Sequence, residues 1–131
     1  MVDFLPRFDA AVSTLFTDLD QRGLLDRVLV LVAGDFGRTP RLNAGDARGP
    51  GRDHWPGAVS CLLGGGGIQG GRIIGATTPH GEMPAERPLI PGDLHATIYH
   101  VLGISPDVSF KNYSGRPIPI LERGEVISEL L

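Results

Sequence analysis

The stretch from Val28 to Pro40, VLVLVAGDFGRTP, constrains the fold of this chain more than any other. Its first six residues are apolar, mostly β-branched or leucine, and a glycine ends the run. A short apolar run of this kind predicts a strand that is buried on both faces, as in a parallel sheet. Because ligands in open α/β sheets bind at the carboxyl ends of strands, Asp35 and Arg38 become candidate site residues by position.

A second polar motif, GRDHW at residues 51–55, precedes a second apolar run from Ala58 to Leu63. Pro56 lies between them, and four glycines, 64–67, end the run. Because no Lys-Ser/Thr pair follows the glycines, we interpret them as a tight turn rather than a phosphate-binding loop. The two strands would bring polar residues of both motifs to one edge of the sheet.

Two further segments have the apolar spacing of amphipathic helices. In the first, the apolar positions with this spacing are Phe8, Val12, Leu15, Phe16 and Leu19. Pro6 suits its first turn and Gly23 its left-handed end. The second helix is expected between Asp93, as a capping residue, and Gly103. Helices and strands together predict an α/β fold, with a mostly parallel sheet and flanking helices.

The 131 residues suffice for a single domain with one core. Two buried strands, however, are fewer than the about five or six of a typical sheet. We therefore expect residues 1–131 to be one unit that forms part of a larger sheet, with the missing strands upstream. Such an incomplete sheet leaves an edge and an apolar face exposed, which predicts self-association or contact with the missing N-terminal part.

Composition excludes several classes of protein. A net charge of −3 and the lack of a basic stripe give no reason to expect nucleic acid as a partner. No apolar run approaches the ~18 residues of a transmembrane segment, and no signal peptide is recognisable, so the chain as it stands is expected to be cytoplasmic. The single cysteine, Cys61, excludes an internal disulfide and is expected to be a buried hydrophobe in a core strand.

The polar residues of the two motifs suggest a metal site. Asp35 and His54 offer a carboxylate and an imidazole, which suit Zn²⁺, Mn²⁺ or Fe, and Asp53 is either a third ligand or a residue that orients His54. The alternative is structural: Asp35 supports the turn between Gly34 and Gly37, and His54 hydrogen-bonds to the backbone.

Arg38 and Arg52 are candidate anion-binding residues, since a guanidinium can bind phosphate or sulfate through two hydrogen bonds. The alternative is a pair of structural ion pairs, Arg38 with Asp35 and Arg52 with Asp53. Residues 76–88, which carry His80 and Glu82, are expected to form an exposed loop. Trp55 is expected to pack rather than to stack on a ligand.

Three stretches together resemble a known family: GLLDRVLVLVAGDFGRTP, GRDHWPGAVSCLLGGGGIQGG and RPLIPGDLHATIYHVLGI. They resemble the C-terminal part of the bacterial family of unknown function numbered fifteen-oh-one, which is placed in the alkaline phosphatase/sulfatase superfamily. The resemblance covers the chain from about Phe8 to Leu131. It implies a partial alkaline phosphatase-like (sulfatase-like) sheet. Members of the family have the length of several such chains, and many begin with a twin-arginine export signal.

The resemblance also assigns residues. The superfamily has a metal-binding Asp-His pair after a strand, which corresponds to Asp35 followed by Phe36, and a further histidine, which corresponds to His54. A helix with an Asp-Leu-x-x-Thr pattern corresponds to Asp93–Gly103. Phenylalanine cannot bind a metal, so one metal site is damaged or rebuilt, with Asp53 or Arg38 as the residues that would compensate.

The superfamily nucleophile lies upstream of these motifs, and no residue of this chain corresponds to it. The resemblance thus implies that the full-length parent is a metal-dependent hydrolase of small phosphate or sulfate esters. The alternative is a catalytically inactive α/β domain that binds a ligand or a partner. The lost ligand at Phe36 and the lack of a nucleophile favour this alternative for the chain in isolation.

Overall fold

The computed structural model describes residues 4–45, 47 and 49–131. Among these residues the chain has α/β content, with two α-helices, eight short strands and two 3₁₀ turns. In chain order they are α1 (Leu5–Gln21), a 3₁₀ turn (Leu25–Arg27), β1 (Val30–Ala33), β2 (Gly37–Arg38), β3 (His54–Trp55), β4 (Cys61–Gly64), β5 (Ala76–Thr77), β6 (Pro84–Glu86), α2 (Pro91–Val101), β7 (Ser109–Lys111), β8 (Pro117–Pro119) and a second 3₁₀ turn (Ser128–Leu130).

Every ladder in the described part of the chain is antiparallel and two-stranded: β1–β4, β2–β3, β5–β6 and β7–β8. The apolar run after Val28 and the run before the glycines therefore form neighbouring strands, but in antiparallel rather than parallel pairing. Parallel pairing needs a crossover connection, usually a helix. Residues 34–60, which join β1 to β4, instead form the β2–β3 ladder.

Helix α1 forms as predicted and ends at Gly23, which has a φ of +64°. Its predicted apolar face is only partly covered, since Phe8 and Leu15 are exposed. Leu19 is buried, and the ring of Phe16 packs over Gly64 at the end of β4. A Cβ at Gly64 would lie 2.6 Å from that ring, so only glycine lets the helix approach the strand this closely. The next glycine, Gly65, has a φ of +72° and begins a tight turn, as the sequence indicated.

Neither β1 nor β4, the strands formed by the two apolar runs, is buried on both faces. The residues of β1 are alternately half-buried and exposed, and Leu31 and Leu62 leave 41% and 44% of their surfaces exposed. Cys61 lies in β4 as predicted but is exposed rather than buried. Partial desolvation raises the pKa of its thiol. Leu31 and Leu62 lie on opposite faces of the β1–β4 ladder, so the described residues leave both faces partly uncovered.

Helix α2 is tied to the C-terminal segment through its Asp-Leu-x-x-Thr motif. The Asp93 carboxylate accepts hydrogen bonds from the backbone N–H groups of Ile90 (2.9 Å) and Glu125 (2.8 Å), which lower its pKa. The fully buried Thr97 hydroxyl donates to the Asp93 carbonyl (2.7 Å) and accepts from the Ile127 N–H (2.9 Å). We call this arrangement of Asp93, Thr97 and the backbone of 125–127 the α2 latch.

A second set of contacts fixes the last residues. The Arg87 guanidinium binds the Glu129 carboxylate through Nε (2.6 Å) and Nη2 (3.1 Å) and lowers the pKa of Glu129 to about 2. Arg72 donates to the Glu129 carbonyl (2.8 Å), and the Gln69 amide donates to the Leu131 carbonyl. The segment 69–74 is therefore a loop that holds the C-terminal residues.

None of the described helices has the length and apolar character that crossing a membrane requires.

Candidate functional site

The β2–β3 ladder brings the two polar motifs together. Its register pairs Arg38 with His54 and Gly37 with Trp55. Residues directly opposite in an antiparallel ladder present their side chains on the same face, so Arg38 and His54 share one face and Trp55 lies on the other. We call the five predicted site residues around this ladder the β2–β3 rim: Asp35, Arg38, Arg52, Asp53 and His54.

Glycine is needed where the ladder meets the next segment. A side chain at Gly37 would overlap the backbone carbonyl of Ala58. The glycine of the GDFGRTP motif therefore lets residues 56–58 cross close behind β2. The close approach lies directly beside the ladder position where Arg38 and His54 are opposite one another.

Beyond the ladder, a hydrogen-bond network extends the contact between the motifs. The Thr39 N–H donates to the Asp53 carbonyl (3.0 Å), and the Thr39 hydroxyl accepts from the Asp53 N–H (3.1 Å). The Asn43 amide donates to the Asp53 carboxylate (2.8 Å), while its oxygen accepts from the N–H groups of Gly45 and Gly51. Asn43 thus holds both the loop and the Asp53 side chain in place.

The guanidiniums are arranged beside this network. Arg38 Nη1 lies 3.4 Å from the Arg52 carbonyl oxygen, within hydrogen-bonding distance. The ion pairs formed among the described residues are Asp18–Arg22 and Arg87–Glu129. They include neither of the pairs considered as structural alternatives, Arg38 with Asp35 and Arg52 with Asp53.

Phe36 lies beside the β2–β3 rim and contacts one of its residues. Its ring lies against the His54 imidazole, with centroids 5.2 Å apart and planes inclined by 32°. Phe36 itself remains half exposed, at 50%. The residue that replaces the superfamily histidine therefore contacts the other candidate ligand.

All five rim residues are exposed. In the part of the chain that the structure describes, no three histidine, cysteine, aspartate or glutamate side chains are grouped closely enough to hold a metal ion. His54 and Asp35 remain donors of a suitable kind, but the described residues supply fewer than the ~3 or 4 protein ligands of a typical zinc site.

Sequence reasoning did not single out Thr39, Asn43 or the contact of Trp55. The indole Nε1–H of Trp55 donates to the Glu82 carbonyl (2.6 Å), which brings the β5–β6 hairpin to the opposite side of the rim. A signal for Asn43 was present, since asparagine near glycine in a loop commonly binds backbone N–H groups two residues on. Nothing in the sequence indicated the partner of Trp55.

Residues 2–131 match the family described as "Protein of unknown function (DUF1501)". No curated protein and no solved structure matches the chain. Since the match covers nearly every residue, the chain belongs to the DUF1501 family.

Proposed function

We propose that this chain supplies the anion-binding and metal-binding edge of a metal-dependent hydrolase for phosphate or sulfate esters. The observation that carries the proposal is the pairing of Arg38 with His54 in the β2–β3 ladder. It places a guanidinium and an imidazole side by side on one exposed face. The nucleophile would come from another segment of a longer parent, within an alkaline phosphatase-like, mostly parallel sheet that the antiparallel β1–β4 pair would extend.

The anion-binding part of the proposal rests on charge and geometry. A guanidinium presents a planar fork of donors that matches two oxygens of a phosphate or sulfate group. Arg38 contacts the backbone of Arg52, so two guanidinium-bearing residues lie at the same edge. Both side chains are exposed, as binding a ligand from solution requires.

The metal-binding part rests on the kind of donors. Asp35 and His54 would hold a divalent metal, and Asp53, fixed by Asn43, would act as a further ligand or orient the site. A bound divalent metal would polarise the ester oxygen or activate a nucleophile. A complete site needs at least one donor besides Asp35 and His54. Another segment of the longer parent protein would supply it.

A second candidate function is a catalytically inactive binding domain, and the contact between Phe36 and His54 favours it. The phenyl ring covers one side of the imidazole at the position where the superfamily has a second metal-binding residue. In this case Arg38 and Arg52 would bind an anionic group but the domain would catalyse no reaction on it. The two candidates share the anion site and differ in the metal.

The first experiment measures metal content of the purified chain by plasma mass spectrometry, beside His54→Ala and the control His100→Ala. If the hydrolase proposal is right, the chain contains Zn, Mn or Fe, and this metal is lost only in His54→Ala.

The second experiment titrates the chain with inorganic phosphate and with sulfate by calorimetry. Arg38→Gln should weaken binding by about tenfold, and the control Arg7→Gln should leave it unchanged.

Anion binding without metal would favour the inactive binding domain. If neither metal nor anion binds, in this chain or in a protein extended by any upstream reading frame, both candidate functions are wrong.

A further inference from the structure

A cleft opens beside the rim, on the side of Trp55. Its volume is about 230 Å³, and its lining residues are Pro40, Arg41, His80 and Glu82. One wall is the segment that leaves β2, and the other is the turn of the β5–β6 hairpin. We call it the Arg41–Glu82 cleft.

Backbone contacts hold both walls in place. The Thr39 hydroxyl donates to the Arg41 carbonyl (2.9 Å). On the other wall, the Glu82 N–H donates to the Thr78 hydroxyl (3.1 Å), and the Glu82 carbonyl accepts from the Trp55 indole (2.6 Å). Because these contacts use the backbone atoms of Arg41 and Glu82, the two side chains are not needed to hold the walls.

The walls carry opposite charges. Arg41 brings a guanidinium to one wall and Glu82 a carboxylate to the other, and the ion pairs among the described residues do not include Arg41 with Glu82. Both residues line the space that a ligand would occupy. His80 adds an imidazole, which can donate or accept a hydrogen bond.

We propose that the Arg41–Glu82 cleft binds a small zwitterion, a molecule that carries a carboxylate and an ammonium group. A simple anion attracted by Arg41 would be repelled by Glu82, and a simple cation attracted by Glu82 would be repelled by Arg41. A zwitterion satisfies both charges at once. The cleft is smaller than the about 300–1,000 Å³ of pockets for drug-sized ligands, which limits the ligand to a few carbon atoms.

This proposal is independent of the ester hydrolase. Arg38 and His54 lie on one face of the β2–β3 ladder, whereas Trp55, which holds the cleft wall, lies on the other. Substitution of Arg41 or Glu82 should thus leave metal and sulfate binding at the rim unchanged. Substitution of Arg38 should leave the cleft unchanged.

The chain contains one tryptophan, so its indole N–H gives a single resonance next to the cleft. The experiment follows this resonance by ¹⁵N–¹H correlation NMR during titration with glycine, β-alanine and γ-aminobutyrate, with acetate and ethylamine as controls. We expect a saturable shift with at least one zwitterion and none with either control. Arg41→Gln and Glu82→Gln should each weaken binding by about fivefold, as for the loss of one exposed charge pair.

The matched control is Arg38→Gln, which should bind the zwitterion as the unsubstituted chain does. A double variant, Arg41→Glu with Glu82→Arg, exchanges the charges and should restore binding lost in either single variant. The proposal is overturned if no zwitterion gives a saturable shift, if acetate or ethylamine gives the same shift, or if both single variants bind like the original chain.

Discussion

The ring of Phe36 lies against the imidazole of His54, with centroids 5.2 Å apart. The two residues come from different motifs, and the β2–β3 ladder brings them together: Phe36 lies two residues before Arg38, the ladder partner of His54. An aromatic ring at this distance excludes a ligand from that side of the imidazole. Phe36 therefore limits the directions from which a metal or substrate can reach His54.

This contact leads to a prediction for the metal site. Phe36→His would place a second imidazole beside His54 and add a donor to Asp35 and His54. We expect at least a tenfold gain in Zn²⁺ affinity, measured by calorimetry at neutral pH, because imidazole nitrogens are good zinc ligands. Phe36→Ala, which removes the ring without adding a donor, is the control. An equal gain in both variants would contradict a site shared by positions 35, 36 and 54.

The α2 latch makes Thr97 important for stability. Thr97→Val keeps the shape of the side chain but leaves the buried Ile127 N–H without its acceptor. We expect a loss of about 1–3 kcal/mol in the free energy of unfolding, measured with urea. The matched control is Thr17→Val in α1, where the exposed hydroxyl makes a similar bond to the Ser13 carbonyl. Its effect should stay within about 0.5 kcal/mol.

The approach of α1 to β4 predicts the effect of adding one methyl group. Gly64→Ala would force the Phe16 ring away from the strand and should cost about 1–3 kcal/mol, as overpacking does. Gly70→Ala is the control, since a Cβ there meets no atom within 4 Å. Thermal unfolding of both variants measures the difference. Equal melting temperatures would show that α1 does not pack on β4 in solution.

The contact of Arg87 with Glu129 predicts a dependence of stability on pH. The pKa of Glu129 falls from 4.5 to about 2 in the folded chain, so this carboxylate stays ionised in acid where the unfolded chain binds a proton. Its stabilising contribution is complete above about pH 4.5 and is lost as the pH falls toward about 2. Arg87→Gln should therefore reduce the fall in melting temperature over this range.

The control for this measurement is Arg7→Gln, which removes the same charge from α1. It should unfold with the same pH dependence as the unsubstituted chain. If Arg87→Gln also behaves like the unsubstituted chain, the ion pair does not form in solution.

The exposed surface predicts association. The chain exposes 10095 Å², whereas a compact monomer of 13.9 kDa is expected to expose about 6,700 Å². The excess includes apolar side chains such as Phe8, Leu31 and Leu62. We expect the isolated chain to self-associate through this surface, with a mass above that of a monomer by light scattering. A monodisperse monomer would contradict this expectation.

Local features of the fold could be predicted from the sequence because they depend on neighbouring residues. Both helices and their glycine ends at Gly23 and Gly103 follow from apolar spacing and from the left-handed conformation that glycine adopts. Asp93 was predicted to cap α2 at its start. The helix instead begins at Pro91, and Asp93 lies in its first turn, where one carboxylate oxygen accepts the Ile90 N–H. The other oxygen accepts the N–H of Glu125, a residue far along the chain that no local pattern could identify.

The direction of strand pairing could not be predicted in the same way. The apolar run that contains β1 is compatible with either direction, and only the path of residues 34–60 decides it. For the rim, the two motifs predicted that their polar residues would lie at one edge, and the β2–β3 ladder places Arg38 opposite His54. The pairing of Arg38 with His54 and the position of Phe36 depend on the register of a ladder of two residues per strand, which the sequence does not specify.

The α2 latch also has a consequence for how the sequence can vary within the family. Its contacts with the C-terminal segment run to the backbone N–H groups of Glu125 and Ile127, and Gly92 and Gly124 meet there with no room for a Cβ. Selection on the α2 latch would therefore act on Asp93 and Thr97 and on the two glycines, Gly92 and Gly124. The side chain at position 125, which is exposed and contributes only its backbone, would be free to diverge.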